Sequence, residues 1–221
     1  GASLLADRLI RSGRPVIKAP VIDIKSIERA PPAEPADLVI CLSSHAARFY
    51  LASNLYRSNR KIPHIAIGRM TASILQAQEI NTMVPGSENS EGILKLRVVE
   101  ELSPDQVVWV LAGLGGLGLV ESALDGNCRL IKVPLYERVE KEIEGVAAAE
   151  VGYIVISSEM GLGLIEKFWR SDQGDFSKPI LVVSNRIREK ALSLGFTNAQ
   201  TLGSANTSDI FDYIEQFVDR E

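Results

Sequence analysis

The chain has 221 residues, 46% of them apolar and 24% charged, with a net charge of −4. That is enough globular sequence for one large domain or two of about 100 residues each. No apolar run reaches the ~18 residues of a membrane span. The lack of a basic, apolar leader points to the cytoplasm. No basic patch of the size required for nucleic-acid binding is present. The histidines, His45 and His64, form no cluster with cysteine, so no metal site is expected. Cys41 and Cys128 border apolar runs and read as small buried hydrophobes.

Residues 1–12 have helical periodicity, with Leu4, Leu5, Leu9 and Ile10 on one face and Gly13 as the stop. Residues 16–24 read as a strand broken by Pro20, which confines it to an edge or a connector. After a proline-rich loop, Leu38-Val39-Ile40-Cys41-Leu42 is wholly apolar, as in a parallel strand covered on both faces. Ser43-Ser44 then opens a helix to about residue 56. A strand over 62–67, a turn at Gly68, and a helix over 71–78 follow. Gly86-Ser87-Glu88-Asn89-Ser90 leads into a further helix, and a strand over 107–112 runs into Gly113-Leu114-Gly115-Gly116 and a short helix ending near residue 125. Residues 130–138 form a second proline-broken strand.

Beyond it the grammar repeats. A strand over 153–156 precedes Ser157-Ser158 and a helix to about residue 169. A strand over 179–183 precedes Ser184-Asn185 and a helix over 187–194. Gly203-Ser204-Ala205-Asn206-Thr207 leads to a last helix with Ile210, Phe211, Ile214 and Phe217 on its apolar face. Strand-Ser-Ser-helix, a proline-led strand, and Gly-Ser-x-Asn-[Ser/Thr] thus recur in order at offsets of 114, 116 and 117 residues. Three matches at nearly constant offset argue for duplication. The expected fold is α/β, with two similar lobes, each a parallel sheet flanked by helices. One lobe is expected to take residues 1–18 plus 139–221, and the other residues 25–130. Strands 16–24 and 130–138 would join them as a two-stranded hinge, with Tyr136 at the mouth of the cleft.

Each serine or glycine element falls where a strand ends and a helix begins. Free backbone N–H groups and small hydroxyls there can hold anions without cationic side chains. Each is equally an ordinary helix cap when taken singly. Ligands of open α/β sheets bind beyond the carboxyl ends of the strands, so Ser43, Ser44, Thr71, Ser90, Gly115, Gly116, Ser157, Ser158 and Ser184 are candidate contacts for a ligand with many carboxylates. A rival signal is Gly113-x-Gly115-x-x-Gly118 after the strand over 107–112, followed by Glu137. It has the form of a dinucleotide fingerprint. The short following helix and Pro134 in the next strand count against that alternative.

In their order, the Ser-Ser after the first apolar strand, Gly68-Arg69-Met70-Thr71-Ala72, Ser90-Glu91-Gly92-Ile93-Leu94, the glycine turn at 113–116, Val133-Pro134-Leu135-Tyr136-Glu137-Arg138 and Ser157-Ser158 resemble the uroporphyrinogen-III synthase family. The resemblance covers nearly the whole chain. It departs at the start, where the family has a strand ending in Arg-Pro and this chain begins within the helix. It departs also at Ala112 and Leu117, where many members carry arginine, and at Ser184-Asn185-Arg186-Ile187, where the family has Gly-x-x-Thr.

The resemblance implies a cofactor-free cyclising dehydratase acting on hydroxymethylbilane, a linear tetrapyrrole with many carboxylates. The hydroxymethyl group leaves as water, the resulting azafulvene cation attacks the substituted carbon of the last pyrrole, and the spiro intermediate rearranges to the type III macrocycle. The protein's share is proximity and orientation. Tyr136 matches the family's tyrosine and is the expected catalytic residue, giving a proton or hydrogen bond to the departing hydroxyl. A monomer without nucleic-acid or membrane partners is expected. A nucleotide-dependent enzyme and a non-catalytic two-lobed binding protein remain the alternatives.

Overall fold

A computed structural model describes residues 2–116, 118–202 and 206–218. The chain divides into two compact units, one comprising Gly1–Asp23 with Glu140–Glu221 and the other Ile24–Val139.

The unit formed by Ile24–Val139 is built on a sheet of strand order β1-β6-β5-β2-β3-β4. Its strands are β1 (Ile22–Ser26), β2 (Leu38–Cys41), β3 (His64–Ala66), β4 (Thr82–Met83), β5 (Val107–Gly113) and β6 (Arg129–Glu140). All pairs from β6 through β4 are parallel. The apolar run of β2 is buried at every position because helices cover both faces. On one face Val39, Cys41, Trp109 and Leu111 pack with Tyr50, Leu75 and Ala47. On the other, Leu38, Ile40, Val108 and Val110 pack with Ile93, Val120 and Leu124. Alternation along each strand thus splits one apolar sequence between two cores. The helices are α2 (Ser44–Ala52), α3 (Leu55–Asn59), α4 (Arg69–Gln76), α5 (Ser90–Leu94), α6 (Arg97–Glu100) and α7 (Leu119–Leu124).

Two expectations are corrected here. The helix expected over 43–56 is two helices, because α2 ends at Ser53, whose hydroxyl turns back to the Tyr50 carbonyl at 2.7 Å. The strand expected over 16–24 begins only at Ile22, beyond Pro20. Pro134, expected to confine its strand to an edge or a connector, stands in β6, which lies inside the sheet between β1 and β5. The β5–β6 register shifts there, from Ala112 opposite Pro134 to Gly113 opposite Tyr136. A bulge is one of the few interior sites where the missing proline N–H is tolerated. Ile27 N donates to Leu135 O at 3.0 Å and Lys141 N to Val21 O at 2.9 Å, the reciprocal order of an antiparallel pair.

The unit formed by Gly1–Asp23 and Glu140–Glu221 carries the parallel sheet β7 (Ile154–Ile156), β8 (Ile180–Val182) and β9 (Ala199–Thr201). Helices α8 (Glu159–Ser171) and α9 (Asn185–Ser193) cover one face, where Ile180 and Val182 meet Leu162, Trp169 and Phe196. Leu181 points the other way, to Leu5 and Leu9 of α1 (Ala2–Arg11) and to Ile210 and Ile214 of α10 (Thr207–Val218). Of the apolar face expected on α1, Leu5 and Leu9 are buried while Leu4 and Ile10 are exposed. On α10, Ile210, Phe211 and Ile214 pack inward and Phe217's side chain lies outside the described residues. The repeat motif at 203–205 lies outside them too. Among the described residues, no helix is long and apolar enough to cross a membrane.

Candidate active site

In the larger sheet the chain runs from β2 outward to β3 and β4, then returns to place β5 on the other side of β2. The β2/β5 boundary is therefore a switch point, where loops diverge beyond the carboxyl ends of the strands and leave a crevice. A cavity of about 220 Å³ lies there, lined by Leu42 and Ser43 after β2, by Gly113 at the end of β5 and Gly116 and Gly118 beyond it, and by Tyr136 and Arg138 of β6.

Tyr136 is the best-defined group in it. Residues 136 and 138 share a face of β6, and the bulge beside Pro134 sets that face's phase. The ring is only 2% exposed. It stacks on Phe49 at 6.0 Å between centroids, lies 5.6 Å from the His45 ring, and has the Arg138 guanidinium carbon 5.7 Å from its centroid. A Cβ at residue 113 would lie 2.6 Å from ring carbons of Tyr136. Gly113 therefore has a packing reason independent of any bound phosphate, which weakens the dinucleotide reading of that turn. Gly115, with φ +75°, shapes the turn but does not line the cavity.

The Tyr136 hydroxyl lies 3.1 Å from Ser43 Oγ. Ser43 is the N-cap of α2 and accepts from Ala46 N at 3.0 Å. Its remaining capacity is one proton to give and one lone pair, so it fixes the phenol from either side of the hydrogen bond. Behind it, Cys41 Sγ is 3.5 Å from the Ser43 carbonyl, and burial pushes that thiol up to about 12. Ser44 Oγ and Thr71 Oγ1 are 3.4 Å apart, joining the starts of α2 and α4. Ser90 also lines the cavity, and the neighbouring Asn89 caps α5 through Gly92 N at 2.8 Å.

The start of α4 is already occupied by a carboxylate. Glu88 Oε2 accepts from Arg69 N at 3.0 Å, and a side chain at Gly68 would block that approach. The chain itself shows what this strand-to-helix turn attracts.

Structure thus brings together Ser43, Ser90, Gly116 and Tyr136, with Ser44 and Thr71 paired close behind Ser43. Ser157, Ser158 and Ser184 belong to the other unit. There Ser158 caps α8 through Gly161 N at 3.1 Å, Ser184 caps α9 through Ile187 N at 3.4 Å, and Ser157 is exposed. Sequence reasoning gave no site role to His45, Phe49 or Glu121, and none to Gly113 beside Tyr136. Only Gly113 carried a signal, and it was read as part of a phosphate turn. Of the two positions where many family members carry arginine, Ala112 lines the cavity and Leu117 lies outside the described residues.

These features define a two-unit α/β protein with a cavity at a sheet switch point, a common setting for an enzyme's site. The sequence pattern of the HEM4 family, described as Uroporphyrinogen-III synthase HemD, matches residues 3–211. The chain belongs to that family, the cyclising lyases of tetrapyrrole and heme biosynthesis. Solved structures share the fold. A mutant uroporphyrinogen III synthase from Thermus thermophilus matches with TM-score 0.57 and 15% identity, over 99% of this chain and 95% of that one. The uroporphyrinogen-III synthetase of Helicobacter pylori 26695 matches with TM-score 0.65 and 12% identity, over 89% of this chain and 91% of that one. No curated protein sequence matches.

Proposed function

We propose that the chain closes hydroxymethylbilane to uroporphyrinogen III with inversion of the last pyrrole, and that Tyr136 is its catalytic residue. The observation carrying this is a buried phenol held by Ser43 and Gly113 in the switch-point cavity. When Ser43 donates to the phenol oxygen, the phenol proton is directed away from it, available to the departing hydroxyl. That is the geometry asked of a general acid.

At about 220 Å³ the cavity is smaller than the ~300–1,000 Å³ of sites for drug-sized ligands. It suits one reacting ring of the tetrapyrrole. The remaining acid groups would meet amides and hydroxyls at the helix starts near Ser44, Thr71, Ser90, Gly115 and Gly116. The reading extends to Ser157, Ser158 and Ser184 at the matching junctions of the other unit. It describes a cytoplasmic monomer working without a cofactor.

The test is incubation with freshly prepared hydroxymethylbilane, oxidation of the products and chromatographic separation of the isomers. Type III product in excess over the protein supports the reading. Type I alone, the product of spontaneous closure, overturns it.

A further inference from the structure

Glu121 on α7 lines the same cavity as Ser43, Tyr136 and Arg138. Its Oε2 is shut off from solvent and has no hydrogen-bond partner, the only side-chain atom in that state among the described residues. Buried polar atoms in folded proteins are nearly always paired, so an orphan acceptor carried by a residue that lines a cavity calls for a donor brought in from outside, reached when the side chain turns toward the ligand. The cationic side chain lining the same cavity, Arg138, is engaged over the ring of Tyr136.

The ionised side chains of a polycarboxylate substrate are acceptors and cannot fill this place. A chain of pyrroles has donors of another kind, its ring N–H groups. We propose that Glu121 is a second catalytic residue, whose carboxylate receives the N–H of the pyrrole bearing the hydroxymethyl group; this rests on the synthase reading above. When the C–O bond breaks, its electron pair leaves with the oxygen, which takes up a proton and departs as water. The ring nitrogen's lone pair fills the vacancy at the methylene carbon, and positive charge spreads onto the N–H facing Glu121. The proton is returned when the free carbon of the last ring, having closed the macrocycle, loses its hydrogen. The charge of Glu121 is matched to the cation that forms and not to the neutral ring that binds, which is the condition for raising kcat rather than lowering KM. The same carboxylate repels a ring presented acid-side first, so it also sets which edge of the pyrrole enters.

The experiment compares the wild-type chain with Glu121→Gln and Glu121→Asp. Rates and isomer ratios are measured with hydroxymethylbilane, and thermal midpoints are measured alongside. Glu121→Gln keeps the shape and removes the charge. Its kcat for type III should fall roughly 10–100-fold, at or below the usual effect of one electrostatic group, with KM little changed and the type I fraction raised. The thermal midpoint should hold, since no intramolecular bond is lost, and Glu121→Asp should recover part of the rate. A wild-type chain making type III while Glu121→Gln matches its kcat and isomer ratio overturns the inference and leaves the synthase reading intact. A rate loss that only follows a loss of folded protein makes Glu121 structural and overturns it too. Failure of the wild-type chain itself overturns the reading on which both rest.

Discussion

Gly113 and Tyr136 sit opposite each other on neighbouring strands so closely that a Cβ at 113 would lie 2.6 Å from two ring carbons and 2.9 Å from the hydroxyl oxygen. The glycine exists to let the phenol lie down over the end of β5. The bulge at Pro134 makes the two residues partners.

Gly113→Ala should therefore destabilise the unit and disarm it together. Overpacking of this kind costs about 1–3 kcal/mol, which a denaturant or thermal melt measures. Type III formation should drop by more than the folded fraction does, because relief of the clash moves the hydroxyl away from Ser43. Wild-type stability together with wild-type rate would show that the strands separate without consequence.

Tyr136→Phe keeps the ring contacts with Phe49 and His45 and removes one buried hydrogen bond, worth about 0.5–1.5 kcal/mol. The rate should fall toward the low end of the roughly 10²–10⁴-fold range of general acid catalysis, since the leaving group departs readily from a pyrrole. Type I product should rise as uncatalysed closure competes. Ser43→Ala should cost about 1 kcal/mol through the lost cap of α2, with a smaller effect on rate. Thr71→Ala should have a milder effect than Tyr136→Phe on the isomer ratio. Unchanged rate and ratio in Tyr136→Phe would reduce the tyrosine to packing.

Stability should be greatest near neutral pH and decline on both sides. Burial raises the Cys41 thiol from 9.0 to about 12 and raises Tyr50 as well. Above pH 9 the unfolded thiol gives up its proton while the folded one keeps it, so stability is lost as pH rises from about 9 to about 12. The slope from Cys41 is at most about 1.4 kcal/mol per pH unit. His64 is shifted the other way: burial lowers it, with its ring between Tyr50 at 3.1 Å and the Ile62 carbonyl at 3.0 Å. Its contribution is present above the unfolded value of about 6.5 and is lost as pH falls below it. Denaturant melts across pH check both limbs, and Cys41→Ala should flatten the alkaline one.

Removing the carboxylate at the start of α4 should weaken that helix measurably. Glu88→Ala loses the acceptor for Arg69 N and a contact of 3.4 Å with the Arg69 guanidinium. A loss of about 0.5–1 kcal/mol is expected at low salt, shrinking as salt screens the exposed partners. Gly68→Ala should reproduce it by pushing Glu88 aside. Salt-independent melts identical to wild type would show that the contact contributes nothing.

Much of the architecture was legible because a parallel strand covered on both faces must be apolar throughout, as at Leu38–Cys41 and Ile180–Val182. The strands Thr82–Met83 and Ala199–Thr201 were not legible. At two and three residues they carry no periodicity, and only pairing with β3 and β8 makes them strands. Ser43, Ser158 and Ser184 were visible as caps, since each starts a helix whose first N–H groups need an acceptor.

The sequence by itself determined the alternation of strands and helices and the paired strand-to-helix turns in the two halves; the tyrosine to watch came from the family resemblance. The alternation and the turns follow from local periodicity and capping, which need only neighbours along the chain. Tertiary structure alone decided that Pro134 sits inside a sheet, that Tyr136 is buried under Gly113, and that Glu121, a residue of the cavity lining, keeps one buried oxygen without a donor. Each of those depends on a register, a bulge or an absent partner, and such facts arise only when distant segments are brought side by side.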